Sequence, residues 1–168
     1  MAIQRRKTSP MKFSFHPVII LALICTQLLA DPIISEFVAS NSSGTQDEDG
    51  DTSDWIEIYN PDASAVDMAG WSLTDDSQNL TQWTFPSVTV PANGRILVFA
   101  SGKNRASSGA ELHTNFSLSA NGEYLALVKP GGQVTGTTFD PFPKQKTDIS
   151  YGVASNTTTR IDGSTPLR

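Results

Sequence analysis

Residues 53–60 read Ser-Asp-Trp-Ile-Glu-Ile-Tyr-Asn, a pattern of period two that is typical of a β-strand. Successive side chains of a β-strand point to opposite faces of the sheet. Ile56 and Ile58 would therefore share one face, and Trp55 and Tyr59 would share the other. We predict a strand whose isoleucine face turns toward a hydrophobic core.

The period of two continues on both sides of this strand. It is interrupted roughly every 8 to 12 residues by Gly, Pro, Asn or Asp, as in all-β proteins. Asn121-Gly122 lies between two apolar segments and predicts a tight β-hairpin between residues 112–118 and 123–129. About nine short strands joined by turns indicate a β-sandwich or a barrel. The predicted strands cover residues 33–39, 55–60, 65–74, 80–85, 94–100, 112–118, 123–129, 133–139 and 148–153.

The N-terminal 30 residues have the layout of a signal peptide. Four basic residues precede an apolar run over residues 18–30, and no acidic residue occurs before Asp31. We predict cleavage after Ala30 and a secreted, extracellular or cell-envelope location, with no stable membrane span after cleavage. The apolar run is shorter than the roughly 20 residues of a membrane-spanning helix, and a retained anchor is the alternative. The basic residues are Arg5, Arg6, Lys7 and Lys12.

Composition narrows the classes of protein further. A chain of 168 residues suits one domain, and 12 basic against 17 acidic residues give a net charge of −5. Without residues 1–30 the balance is 8 basic against 17 acidic residues, a net charge of −9. This charge argues against a nucleic-acid partner, which requires clustered Lys and Arg. Cys25, the single cysteine, lies in the leader, so the remaining chain is free of disulfides.

A series of motifs follows in order between residues 33 and 152. They are Ile34-Ser35-Glu36-Phe37 with Ala39-Ser40-Asn41, Ser53-Asp54-Trp55-Ile56-Glu57-Ile58-Tyr59-Asn60, Gly70-Trp71-Ser72-Leu73-Thr74-Asp75, Trp83-Thr84-Phe85-Pro86, Pro91-Ala92-Asn93-Gly94 through Val98-Phe99-Ala100-Ser101-Gly102, Leu112-His113-Thr114-Asn115-Phe116 with Leu118-Ser119, Gly122-Glu123-Tyr124-Leu125-Ala126-Leu127, and Ser150-Tyr151-Gly152. In this order they resemble the lamin-tail domain, and more narrowly its bacterial secreted branch.

The resemblance implies an immunoglobulin-like β-sandwich over residues 31–152 that acts as an exported, non-catalytic binding or structural module. We expect adhesion or docking to a protein or a surface glycan. Residues 153–168 are predicted to be a polar linker or a truncated tail, with further domains in the same polypeptide as an expectation. The alternative is an accessory domain or N-terminal fragment of a larger extracellular hydrolase.

The residue types present give little support for an active site. After the leader the chain has no cysteine, no Gly-x-Ser-x-Gly sequence and one histidine, His113. A Ser-His-Asp triad through His113 is formally open, but a structural or surface role is favoured. One histidine without cysteine also cannot build a usual structural zinc site, and no cofactor is predicted. We predict that the chain is not an enzyme.

Residues 47–54 form an acidic segment that could bind calcium. Their carboxylates repel one another unless a cation or water intervenes, and calcium accepts six to eight oxygen ligands from such loops. An EF-hand is excluded, because Gly50 is the fourth residue counted from Asp47 and not the sixth. A looser calcium site and a plain solvated loop remain as alternatives. The candidate ligands are Asp47, Asp49, Asp51 and Asp54.

Three tryptophans suggest either packing or a platform for a ligand. Trp71 is predicted to fill the core, and Trp83 to pair with Phe85. Trp55 and Tyr59, opposite the isoleucines, are the candidate ligand contacts, because sugar faces stack on exposed aromatic side chains.

Overall fold

The chain is an all-β protein in a computed structural model that describes residues 30–153 and 160–161. The predicted leader, apart from Ala30, and most of the predicted polar tail lie outside the described residues. Within those ranges, no helix has the length and apolarity needed to cross a membrane. The strands are β1 (Ile33–Val38), β2 (Asp54–Tyr59), β3 (Val66–Asp67), β4 (Ser72–Thr74), β5 (Trp83–Thr84), β6 (Thr89–Val90), β7 (Arg95–Ala100), β8 (Leu112–His113), β9 (Leu125–Val128), β10 (Val134–Phe139), β11 (Tyr151–Val153) and β12 (Arg160–Ile161).

Two main sheets form the sandwich. The larger has the strand order β12-β11-β1-β2-β7-β8, and the smaller has the order β10-β9-β4-β5. Strands β3 and β6 form a separate pair. Neighbouring strands are antiparallel except β7 and β8, which are parallel. Twelve strands in the described residues exceed the predicted nine, because segment 65–74 divides in two and because β6 and β12 lie outside the predicted strands.

Strand β2 has the predicted orientation. Ile56 and Ile58 are fully buried, whereas Trp55 and Tyr59 are half-buried on the other face. The register with β1 shifts between Ile34 and Glu36, which is the mark of a β-bulge. Because of that extra residue, Ile34 and Phe37 both face the core although they are three positions apart.

Aromatic side chains join the two sheets across the core. Phe37 of β1 lies 5.1 Å from Phe139 of β10, measured between ring centroids, and 5.6 Å from Tyr151 of β11. Trp71 is buried in the same core, as predicted. Trp83 and Phe85 form the predicted pair at 4.9 Å, and both are buried.

The predicted strand 65–74 is wrong as a single element. The amide of Trp71 donates to the carbonyl of Met68 at 2.9 Å, and Gly70 has a φ of +80°, so a turn separates β3 from β4. The two short strands then pair in different sheets. The turn places both Met68 and Trp71 in the core, which a continuous strand could not do with residues three apart.

The predicted hairpin at Asn121-Gly122 is also wrong, although the turn exists. The amide of Gly122 donates to the carbonyl of Ser119 at 3.0 Å, and Gly122 has a φ of +94°. The strands on either side belong to different sheets, β8 to the larger and β9 to the smaller. The turn therefore carries the chain across the sandwich.

Candidate functional site

The acidic segment between β1 and β2 is a tight loop organised around Asp47. The Asp47 side chain is buried, and its carboxylate accepts hydrogen bonds from the amides of Asp49 and Asp51, each at 3.1 Å, and from the Ser53 hydroxyl at 2.8 Å. The amide of Gly50 donates to the Asp47 carbonyl at 2.9 Å. Asp47 therefore holds the loop closed.

Lys103 supplies the positive charge of this loop. Its Nζ lies 2.7 Å from Asp47 Oδ2, 2.7 Å from Asp49 Oδ2 and 2.9 Å from Asp51 Oδ2. Only a fifth of the Lys103 side chain is exposed. The ammonium group thus occupies the centre of three of the four carboxylates that the sequence offers to calcium.

Arg105 forms a second set of ion pairs. Its Nη1 lies 2.6 Å from Glu48 Oε1, and its Nη2 lies 2.7 Å from Asp49 Oδ2. Both cations are placed by the segment that follows β7, which pairs with β8 through two hydrogen bonds of 2.9 Å between the backbones of Arg105 and His113. The loop is thereby tied to the edge of the larger sheet.

His113 connects β8 to the loop. Its ring is fully buried, and it stacks on Phe99 with centroids 5.3 Å apart. Nδ1 lies 2.8 Å from Ser101 Oγ, and Nε2 lies 2.8 Å from Glu48 Oε2. Glu111, two residues before His113, accepts a 2.7 Å hydrogen bond from the Glu48 amide.

The Ser101, His113 and Glu48 side chains form a serine–histidine–carboxylate chain, but with the ring turned the other way from a hydrolase triad. In the serine proteases the nucleophile contacts Nε2 and the carboxylate contacts Nδ1. Here Ser101 contacts Nδ1 and Glu48 contacts Nε2. The arrangement fixes the ring, and it offers no geometric support for nucleophilic catalysis.

Hydrogen bonding and burial set the charge states of the loop. Burial by itself would raise the pKa of Asp47, but hydrogen bonds from Lys103, Ser53 and two loop amides outweigh it and lower this pKa to about 2. Burial would likewise lower the pKa of Lys103, yet its three aspartate partners raise it. The neighbouring Glu48 and Glu111 carboxyls interact, so that the pKa of Glu48 is lowered and that of Glu111 is raised.

Asp54, the fourth predicted calcium ligand, lies apart from the other three. It belongs to β2 and accepts a 2.9 Å hydrogen bond from the Asn41 amide. Burial raises the pKa of Asp54, and the Asn41 bond offsets this only in part. The structure therefore brings together Asp47, Asp49 and Asp51 as a set of candidate ligand atoms within 4.8 Å of one another.

Trp55 and Tyr59 lie on the outer face of the larger sheet. Residues directly opposite in neighbouring strands share a face, which places Phe99 and then His113 in line with Trp55. The Arg95 guanidinium covers the Tyr59 ring at 4.3 Å and bonds Glu57 through Nε at 3.0 Å. The two predicted contacts therefore share a sheet face that leads to the acidic loop.

Sequence reasoning missed Lys103, Arg105 and Glu111. A signal was present, because Lys103 and Arg105 are two of only eight basic residues that follow the leader, and they stand two positions apart. No local feature of the sequence connects these residues to the acidic loop, which lies more than 50 residues earlier in the chain.

The fold and this site define an immunoglobulin-like β-sandwich with an ion-paired acidic loop at one sheet edge. The sequence profile of the lamin tail domain matches residues 27–140, which is more than half of the chain, and the chain belongs to this family. The family is typically not enzymatic, and its members are binding or structural modules. In a comparison with curated proteins, no sequence matches the chain.

Proposed function

We propose that this lamin tail domain is exported and acts as a docking module for a protein on the cell surface or outside the cell. The observation that carries the proposal is the outer face of the larger sheet, where Trp55, Tyr59 and Arg95 stand beside Leu97. Tryptophan, tyrosine and arginine are the residues most enriched at protein interfaces and their hot spots.

The accessibility of these side chains supports a contact role. Leu97 is 37% exposed and the Arg95 side chain is 48% exposed, although β7 pairs directly with the central strand β2. Arg95 stacks on Tyr59 and pairs with Glu57, so the polar groups of this face are already oriented. An oriented face loses less side-chain entropy when a partner binds.

Binding to the surface of cells from the source organism tests this proposal. We expect labelled wild-type domain to bind and the double variant Trp55→Ala, Tyr59→Ala to lose most of that binding. Thr89→Ala, an exposed position on β6, is the matched control and should bind as wild type does.

Protease treatment of the cells should remove the binding. Loss after periodate treatment instead would identify a surface glycan, and equal binding by the double variant would contradict a role for this face.

Export is tested separately. N-terminal sequencing of the secreted protein should begin at or near Asp31, as the charge pattern of residues 1–30 predicts. Mature material that still carries residues 12–30 and is bound to membranes would support a retained anchor.

A further inference from the structure

A second group of ligand atoms lies beside the aspartates that Lys103 neutralises. One carboxylate oxygen of Glu48, one of Glu111 and a ring nitrogen of His113 lie within 4.8 Å of one another. Glu111 directly precedes β8 and His113 ends it, and Glu48 reaches both from the loop, with its amide 2.7 Å from Glu111 Oε2. The fold therefore assembles the cluster from two segments of the chain, the acidic loop and the residues at β8.

The orientation of the His113 ring is fixed in the way that is typical of metal-binding histidines. Ligating histidines almost always use the second ring nitrogen for a hydrogen bond that fixes the ring. Here Ser101 Oγ takes that role at Nδ1, 2.8 Å away, and leaves Nε2 facing the glutamates. The ring is fully buried and is stacked on Phe99, so its direction is set by packing as well.

The cluster of Glu48, Glu111 and His113 has less neighbouring positive charge than the cluster of aspartates has. Lys103 contacts three aspartates, whereas Arg105 contacts only one oxygen of Glu48, Oε1, and leaves Oε2 to His113. Among the described residues, Glu111 makes no ion pair with a lysine or arginine. One guanidinium therefore faces two carboxylates in this cluster, and a divalent cation would balance the excess negative charge.

The donor set selects the class of cation. Imidazole suits zinc and the neighbouring first-row metals, whereas calcium and magnesium prefer oxygen ligands alone. Around a tetrahedral zinc ion with bonds of about 2.1 Å the donor atoms lie roughly 3.4 Å apart. Glu48 Oε2, which is 2.8 Å from Nε2, would therefore exchange its hydrogen bond to the ring for a bond to the ion. Glu48 and Glu111 are exposed, so they can turn toward a common ion and leave one side open to water.

We propose that Glu48, Glu111 and His113 bind a divalent first-row transition-metal ion, zinc in the first instance, with water as the fourth ligand. The ion would tie the acidic loop to β8. This proposal is independent of the docking face and stands or falls on metal binding alone.

The test is zinc chloride titrated into the untagged, metal-stripped full chain, followed by calorimetry and by thermal melting. We expect saturable binding of one ion per chain, a melting temperature raised by several degrees, and a tetrahedral absorption spectrum when cobalt replaces zinc. Glu111→Gln and Glu48→Gln should each weaken binding at least tenfold. These exposed positions allow the test even if His113→Gln, in the buried ring position, fails to fold.

Asp51→Asn is the matched control, since it removes a neighbouring carboxylate from the Lys103 cluster only. It should bind zinc as the wild type does. The proposal is overturned if no saturable binding occurs, if Glu111→Gln binds like the wild type, or if Asp51→Asn loses binding to the same extent. Calcium binding as tight as zinc binding would also overturn it.

Discussion

The interior of the sandwich and the acidic loop are held together by different forces. In the interior, Phe37 packs against Phe139, Phe142 and Tyr151, and the surrounding side chains are apolar. In the loop, Asp47 is just as well buried but depends on Lys103 and on donated hydrogen bonds. Apolar packing neither titrates nor is screened by salt, whereas charge compensation responds to both pH and ionic strength.

The difference indicates where this domain can respond to its surroundings. The core fixes the two sheets, and the loop adds a charged edge whose stability depends on protons and ions. The negative charges of this loop are unevenly neutralised. Lys103 neutralises the aspartates, whereas the glutamates beside His113 have less positive charge next to them. Variants that remove one force at a time would test this contrast.

The largest effect is expected from Trp71→Ala. Trp71 lies in the core, and removing a large buried aromatic side chain costs about 3–5 kcal/mol of unfolding free energy. Trp55→Ala, on the half-buried outer face, should cost much less. Urea denaturation of both variants measures the two losses, and equal small losses would show that Trp71 does not support the core.

Lys103→Met should cost less, about 1–3 kcal/mol, because it leaves the buried Asp47 carboxylate without its cation. Asp47 keeps its bonds from Ser53 and two amides, which limits the loss. Lys129→Met is the matched control, since Lys129 pairs with Asp31 at the surface and such pairs contribute less than about 1 kcal/mol. Equal losses in the two variants would mean that burial of Asp47 has no energetic consequence.

Acid should weaken the loop in a defined window. The pKa of Asp47 is about 2 in the folded chain, below its ordinary value of 3.8. Its contribution to stability is therefore complete above about pH 4 and is lost as the pH falls toward 2. We expect the stability difference between wild type and Asp47→Asn to shrink by about 1–2 kcal/mol between pH 5 and pH 2.

Denaturation of both proteins at each pH measures that difference and cancels the other acidic groups. Glu111, whose pKa is raised by the neighbouring Glu48 carboxyl, is present in both proteins, so its titration cancels in the difference. A difference that stays constant down to pH 2 would show that Asp47 is not stabilised in its ionised form.

Local pattern was sufficient for the parts of the fold that depend on alternation. Ile56 and Ile58 face the core, and Trp71 fills it, as the sequence predicts. The turn at Gly70 that divides segment 65–74 is local, whereas the error at the predicted hairpin arose because strand partners are distant. Asn121-Gly122 does form a turn, but whether the strands beside it pair with each other depends on β4 and β7, which no local sequence specifies.

The candidate site also depends on residues that are distant in sequence. The sequence identifies the acidic segment, but the residues that compensate it come from far along the chain. Lys103 is 56 positions from Asp47, and His113 is 65 positions from Glu48. The pairing of β7 with β2, and of β8 with β7 and with the segment after β7, brings these cations and His113 to the loop.

Calcium should have the smallest effect, and the reason is Lys103. The ammonium group lies within 2.9 Å of an oxygen of Asp47, Asp49 and Asp51, so calcium would have to displace it. We expect millimolar calcium to change the melting temperature no more than sodium chloride of equal ionic strength does.

Lys103→Met sharpens this last test, because it removes the internal cation but keeps the three carboxylates. In that variant calcium should raise the melting temperature by several degrees, and magnesium should do less, since it keeps its waters and needs a tight octahedral shell. Adding Asp49→Asn and Asp51→Asn should abolish the response. If calcium instead stabilises the wild type well beyond matched salt, then it competes successfully with the ammonium, and Lys103 is a displaceable occupant of a calcium site and not its permanent replacement.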